Sequence, residues 1–124
     1  MDKYRSLAAW EAAHQLAVTV LRVTDKAYHP RCHAVFDQLR RAAVSVEANI
    51  VEGYALDTTA QFRRHLRIAM GSAAEAECLI RTAREMRYLP VEASALMEEL
   101  TGRAMRTIRG LLRSQPKPVV PNRN

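Results

Sequence analysis

Apolar side chains recur every three or four residues along most of the chain, which is the spacing of one face of an α-helix. Prolines stand at positions 30, 90, 116, 118 and 121, so the long stretches between them contain no helix-breaking residue. The spacing and the prolines together predict four helices, over about residues 7–27, 30–53, 58–87 and 90–113. No segment shows the two-residue alternation of a half-buried β-strand.

Individual residues indicate where these helices begin and end. Pro30 suits the first turn of the second helix, and Gly53 is predicted to end that helix. Thr58 and Gln61 have the spacing of a capping box at the start of the third helix. Gly71 lies inside the third helix, where an isolated glycine indicates close packing.

Four amphipathic helices joined by links of a few residues favour antiparallel neighbours. The predicted fold is therefore all-α, an antiparallel up-and-down four-helix bundle over residues 1–113, followed by a flexible, Pro-rich and basic tail over 114–124. The first helix carries a second apolar stripe, formed by Leu16, Val20 and Val23, which needs a cover. Either a neighbouring helix of the same chain covers it or a second copy does, which would mean self-association.

Length and composition exclude several classes of protein. A chain of 124 residues with 48% apolar side chains suits a single domain, and no apolar run approaches the ~20 residues that cross a bilayer. Charges occupy the N-terminal region where a secretory signal needs an apolar stretch, and two cysteines, Cys32 and Cys78, are too few for a disulfide framework. The sequence therefore predicts a cytoplasmic protein without a membrane partner.

The net charge of +6 is unevenly distributed. Residues 1–59 contain seven basic and seven acidic side chains, whereas residues 100–124 contain six basic side chains and no acidic one. This asymmetry favours an anionic partner, and 16 of the 19 basic residues are arginines, which bind phosphate in a bidentate manner. A composition rich in arginine and alanine also arises in a GC-rich genome, and this alternative stays open.

On the fourth helix, the arginines fall within one sector of about 120° that faces away from the apolar side chains. We therefore predict that this sector contacts nucleic-acid phosphates, with added charge from the start of the third helix. The alternative is that Glu99 pairs with Arg103 and that arginines near the helix C-terminus offset the helix dipole. Trp10, Phe36 and Phe62 lie on apolar faces, which disfavours recognition of single-stranded bases. The predicted nucleic-acid-binding residues are Arg103, Arg106, Arg109, Arg113, Arg63, Arg64 and Arg67.

Patterns for catalysis and metal binding are weak or missing. Glu11 and His14 form the one Glu-x-x-His pair in the sequence, whereas a di-iron site in a helical bundle needs two. His29, Cys32 and His33 are close enough in sequence to contribute to a zinc site, but such a cluster is more typical of a polar turn with a free thiol. No nucleophile or phosphate-loop motif occurs. The sequence predicts that the protein is not an enzyme and has no metal and no cofactor.

A polar stripe runs along the second helix, nearly opposite its apolar face. Its members are Arg41, Ser45, Asn49 and Glu52. A solvated face explains this stripe, and so does a hydrogen-bonded contact with another helix or subunit. The sequence leaves both interpretations open.

The segment from Gln38 to Gly53, Q-L-R-R-A-A-V-S-V-E-A-N-I-V-E-G, and the Gly71-Ser72 pair on the next helix resemble the four-helix bundle family encoded in 23S rRNA intervening sequences. The resemblance covers about residues 5–113. It implies an antiparallel bundle that assembles into a homopentamer. It also implies a distant relation to the accessory variability determinants of diversity-generating retroelements, which are basic pentamers that bind nucleic acid and a reverse transcriptase. The residues that match the family motif are expected to be architectural: Arg41, Ser45, Asn49, Glu52, Gly53, Gly71 and Ser72.

This sequence departs from the family pattern in two places. The segment from His29 to His33 replaces an acidic, glycine-containing turn that is common before the second helix. Glu47 stands where the family frequently has a proline. These departures concern the details of the turn and of one helix position, and the expected fold stays the same.

Charge and resemblance together lead to the hypothesis of a non-enzymatic, oligomeric accessory protein that binds RNA or DNA. The expected partners are further copies of the chain and the nucleic acid. The alternative is a protein-interaction scaffold, for example a subunit that assists the reverse transcriptase of a diversity-generating retroelement.

Overall fold

The computed structural model describes residues 7–115, and within this range it contains four α-helices and no β-strand. The helices are α1 (Ala8–Ala27), α2 (His33–Ala55), α3 (Thr59–Glu85) and α4 (Val91–Ser114). The predicted all-α fold is confirmed, and no helix in this range is long and apolar enough to cross a membrane. Of the tail predicted over 114–124, Ser114 belongs to α4, and residues 116–124 lie outside the described residues.

Each helix packs against two others. α1 contacts α2 and α4, and α3 contacts the same two helices. Buried side chains fill the space between them, in one cluster around Leu16, Phe36 and Met97 and a second cluster around Ile50 and Leu66. Small side chains at the inward positions of α3 let the neighbouring helices approach closely: Ala69, Ala73, Ala76 and Ala83.

The second apolar stripe of α1 is covered within the chain. Leu16 and Val20 are fully buried, and Val23 packs against the same core cluster. α1 lies between α2 and α4, so neighbouring helices approach it from two sides. Of the two explanations for this stripe, the intramolecular one is correct. The stripe therefore gives no reason to expect self-association.

Local hydrogen bonds determine where α3 begins and ends. Thr58 Oγ1 accepts a hydrogen bond from the Gln61 backbone N–H at 3.2 Å, so the predicted cap is confirmed. At the other end, the Tyr88 N–H donates to the Ala83 carbonyl at 2.8 Å, and Arg87 adopts a left-handed conformation with φ of 59°. These are the features of a Schellman motif, which ends α3 two residues before the predicted position.

Gly53 does not end α2 as predicted, because the helix continues to Ala55. Gly53 is buried against α3, and a Cβ atom at this position would lie 2.7 Å from His65 Cβ and 3.1 Å from Phe62 Cδ1. Glycine therefore permits a close approach of α2 and α3. Gly71 shows the opposite environment, since it is exposed and a Cβ atom there would meet nothing within 4 Å. Close packing is the wrong interpretation for Gly71.

The start of the second helix also differs from the prediction. Pro30 opens a short 3-10 turn, Pro30–Cys32, and α2 begins at His33. His29 precedes this turn, and its Nδ1 accepts a hydrogen bond from the Arg31 backbone N–H at 3.3 Å. Proline fits the first position of the 3-10 turn as well as it would fit an α-helix, because neither needs its N–H.

The two glycines form a matched pair for a stability experiment. We expect Gly53→Ala to lower the free energy of unfolding by about 1–2 kcal/mol, because the clash with α3 outweighs the better helix propensity of alanine. Gly71→Ala is expected to raise it by about 1 kcal/mol, because only the propensity changes. Denaturant unfolding at a fixed protein concentration measures both. Equal effects of the two substitutions would contradict the close approach at Gly53.

Candidate nucleic-acid interface

α4 presents four arginines on the face opposite to the core, named here the α4 arginines. All four side chains are exposed: Arg103, Arg106, Arg109 and Arg113. Ala104 and Ile108, which lie between them in sequence, are fully buried, and their burial determines the rotation of the helix about its axis. The apolar pattern of α4 thus directs the arginines towards solvent.

Few acidic side chains pair with the α4 arginines. Arg103 Nη2 lies 3.6 Å from Glu99 Oε1, which is the ion pair that the sequence allowed. The other three arginines form no ion pair with any residue of the described range. Residues 100–115 contain neither Asp nor Glu. The result is an exposed positive surface in which most guanidinium groups are available to an external anion.

Arg63 does not belong to this surface, and its predicted role as a nucleic-acid contact is corrected. The residue is only 8% exposed, and its Nη1 donates to the carbonyl oxygens of Leu112 at 2.6 Å and Gln115 at 3.3 Å. Its Nε–H has no hydrogen-bond partner among residues 7–115. Arg63 lies on the side of α3 that faces α4, so it binds carbonyls at the C-terminal end of α4 instead of solvent.

Arg64 and Arg67 are exposed on α3. Within the part of the chain that the structure describes, neither forms an ion pair. The hydrogen bonds of Arg63 join the start of α3 to the end of α4, so both residues lie at the same end of the molecule as Arg109 and Arg113. They add positive charge near the α4 arginines.

The polar stripe of α2 makes a hydrogen-bonded contact with α3. Ser45 Oγ and Ser72 Oγ are 2.9 Å apart. Asn49 Nδ2 donates to the Ser45 carbonyl at 2.9 Å, and Asn49 Oδ1 lies 3.0 Å from His65 Nδ1. The contact with another helix is thus the correct interpretation for Ser45 and Asn49. His65 was not among the predicted residues, although it lies seven residues before Ser72 and therefore on the same face of α3.

The side chains considered for metal binding do not come together. His14 Nδ1 lies 2.7 Å from Glu47 Oε2. Cys32 is a buried free thiol, whereas His29 and His33 are exposed. Among residues 7–115, no group of three or more His, Cys, Asp or Glu side chains is placed to hold a metal ion.

Comparison with known proteins identifies the family. Residues 5–110 match the family model of the 23S rRNA-intervening sequence proteins. The chain belongs to this family. Among solved structures, it is similar to a protein of unknown function from the S23 ribosomal protein family of Bacteroides thetaiotaomicron, with a TM-score of 0.75 and 18% sequence identity over 86% of this chain and 99% of that chain. That identity supports a shared fold only, and no curated protein matches the sequence.

In this 23S rRNA-intervening sequence protein, the residues of the sequence motif fall into two groups. One group joins α2 to α3: Ser45, Asn49, Gly53 and Ser72. The other group is exposed: Arg41, Glu52 and Gly71. Arg41 Nη2 is 2.7 Å from Asp37 Oδ2 on the same helix, and Glu52 Oε2 lies 3.7 Å from His65 Nδ1. The expected architectural role fits the first group, and the second group is accessible to an external partner.

Proposed function

We propose that this member of the 23S rRNA-intervening sequence protein family is a non-enzymatic, cytoplasmic accessory protein that binds RNA or DNA through the α4 arginines. The observation that carries the proposal is the exposure of all four on one face of α4, with three of them free of any ion pair in the described range. Guanidinium groups pair with phosphate in a bidentate manner. Because they already face water, nucleic-acid binding requires no rearrangement of the helices.

The composition of α4 supports contact with the backbone and not with the bases. Residues 91–114 contain no aromatic side chain on which a base could stack. Phe36 and Phe62 are buried, and the Trp10 ring stacks on His14 with a centroid distance of 4.9 Å. Binding therefore depends on the number of phosphates contacted, and sequence preference is weak.

The proposal includes an antiparallel four-helix bundle and its assembly into a homopentamer. Contacts between α2 and α3 support the antiparallel direction, since Ser45 lies near Ser72 and Asn49 lies near His65. The homopentamer follows from the resemblance to the family. Repetition of the α4 arginines around a ring would concentrate positive charge and strengthen binding through multivalency.

A second candidate function is a protein-interaction scaffold, with a reverse transcriptase as one partner. The observation that favours it is a groove of about 450 Å³ between α1 and α2. Val44, which lines this groove, is 43% exposed. An accessible apolar surface of this kind is typical of protein contacts.

Equilibrium binding distinguishes the two functions. We expect the purified protein to bind fluorescent duplex and single-stranded RNA or DNA at about 50 mM salt, and to release them as the salt concentration rises. Fluorescence anisotropy measures the affinity, and light scattering on the same sample measures the mass of the protein. Failure to bind any of these nucleic acids at low salt would contradict the proposal and favour the scaffold.

A further inference from the structure

One half of the molecule, the half that contains the α2–α3 connection, carries opposite charges on different helices. Residues 7–21 of the α1 segment contain one Glu, residues 42–58 of the α2 segment contain two Glu and one Asp, and neither range contains Lys or Arg. Residues 58–74 of the α3 segment contain Arg but neither Asp nor Glu, and the same holds for residues 100–115. This half is therefore acidic on the side of α1 and α2 and basic on the side of α3 and α4.

The acidic side contains the groove between α1 and α2. Its apolar lining comes from Trp10, Val44 and Val51, and its volume is about 450 Å³. Glu47 and Glu52 also line the groove. Glu52 is the more accessible of the two, with 64% of its side chain exposed, compared with 23% for Glu47. An apolar depression with carboxylates beside it suits a ligand that carries an apolar side chain next to a cation.

On the basic side, α3 presents an apolar side chain next to cations. This surface is named here the α3 ridge and consists of Arg64, Arg67, Ile68 and Gly71. Its apolar member, Ile68, is 41% exposed although isoleucine is usually buried. Arg64 precedes it by one helical turn, and Arg67 is its neighbour in sequence. Gly71 follows by nearly one turn, with open space around its Cα. The ridge thus combines an apolar side chain with two arginines.

We propose that the α3 ridge of one copy docks into the α1–α2 groove of a second copy. Ile68 would lie against the apolar lining of the groove, and Arg64 would pair with Glu52. The inference rests on the proposed homo-oligomer and specifies the two surfaces that form it. Both surfaces belong to the half of the molecule that contains the α2–α3 connection, so the contact joins these halves of neighbouring copies.

This docking is heterologous, since each copy offers the ridge on one side and the groove on another. α3 is the direct neighbour of α2, so the two surfaces lie on adjoining sides of the molecule, and successive copies are rotated relative to each other. In the proposed homopentamer this rotation closes the ring. The α4 arginines take no part in it. They remain exposed in the ring, and nucleic-acid binding and assembly use different residues.

Charge reversal tests the docking. Glu52→Arg and Arg64→Glu each place like charges opposite each other, so each is expected to raise the concentration at which the oligomer dissociates by about tenfold or more. The double variant Glu52→Arg/Arg64→Glu restores opposite charges and is expected to associate like the wild type. Light scattering across a dilution series measures all three. Circular dichroism confirms that the variants remain folded, which the exposure of both side chains favours.

Arg106→Glu is the matched control, because it makes the same charge change on α4 outside both docking surfaces. It is expected to leave the mass of the oligomer unchanged. An oligomeric wild type whose mass survives both single substitutions would overturn the docking surfaces alone. A wild type that is monomeric at tens of micromolar would overturn the homo-oligomer itself. Loss of association in the double variant as well would show that charge complementarity does not join the copies, and would also overturn the docking.

Discussion

Replacement of all four α4 arginines by Gln is expected to lower the affinity for nucleic acid by about 100-fold or more at ~0.1 M salt. Each arginine that contacts a phosphate releases condensed counterions, and the gain from that release is lost with the charge. Glutamine has a helix propensity close to that of arginine, so α4 and the oligomer should persist. Fluorescence anisotropy measures the affinity, with the mass and helicity of the variant checked in parallel.

A control variant distinguishes the contribution of the α4 arginines to affinity from the contribution of the overall charge of the protein. Arg22, Lys26, Arg81 and Arg87 are exposed and lie outside α4. Their replacement by Gln removes the same number of charges as the α4 substitutions do. We expect this control to retain most of the affinity, because long-range attraction between exposed charges is screened beyond about 8–10 Å at physiological salt. Equal losses of affinity in the two variants would indicate that binding depends on the net charge of the protein and not on the α4 arginines.

Arg63→Ala is expected to lower the free energy of unfolding by about 3 kcal/mol. The substitution removes the charged donor that binds the carbonyls of Leu112 and Gln115, and it leaves a space where the aliphatic part of the side chain was packed. Both effects act on the joint between α3 and α4. Denaturant unfolding at a fixed protein concentration measures the change, since the stability of an oligomer depends on concentration.

Two further variants identify the source of that loss. Arg63→Met keeps most of the packing but not the hydrogen bonds, and we expect it to cost about 1–2 kcal/mol. Arg81→Ala changes an exposed arginine of α3 outside the α3 ridge and is expected to alter stability by less than about 0.5 kcal/mol. A Met variant as stable as the wild type would show that the hydrogen bonds of Arg63 contribute nothing measurable.

The helices could be predicted from the sequence because their causes are local. The spacing of apolar residues, the prolines and the Thr58 cap act within one or two turns, and together they predicted the four helices. The detail that failed at the prolines is Pro30, which opens a 3-10 turn before α2 and not α2 itself. Gly53 was misjudged because the reason for glycine lies on another helix, at the Cβ of His65. The spacing of residues along one helix gives no information about its distance from a neighbouring helix.

The same distinction applies to the candidate interface. Arg63 and Arg64 are adjacent residues of the same type. The packing of α3 against α4 makes Arg63 a buried hydrogen-bond donor, whereas Arg64 is an exposed cation. The α4 arginines were easier to predict, because an apolar face on a helix determines where the opposite face points. The link between Asn49 and His65 was missed, because it depends on the register of two helices.

The most direct test of nucleic-acid binding by the α4 arginines is the salt dependence of affinity, measured for the wild type and the four-arginine variant side by side. For duplex DNA, the logarithm of the association constant falls against the logarithm of the salt concentration with a slope of about −0.9 for each phosphate contact. If all four arginines of one subunit contact phosphates, the slope of the variant should be less steep by about 3.6 for each subunit that binds. Parallel lines for the two proteins would contradict the α4 arginines as the nucleic-acid-binding surface.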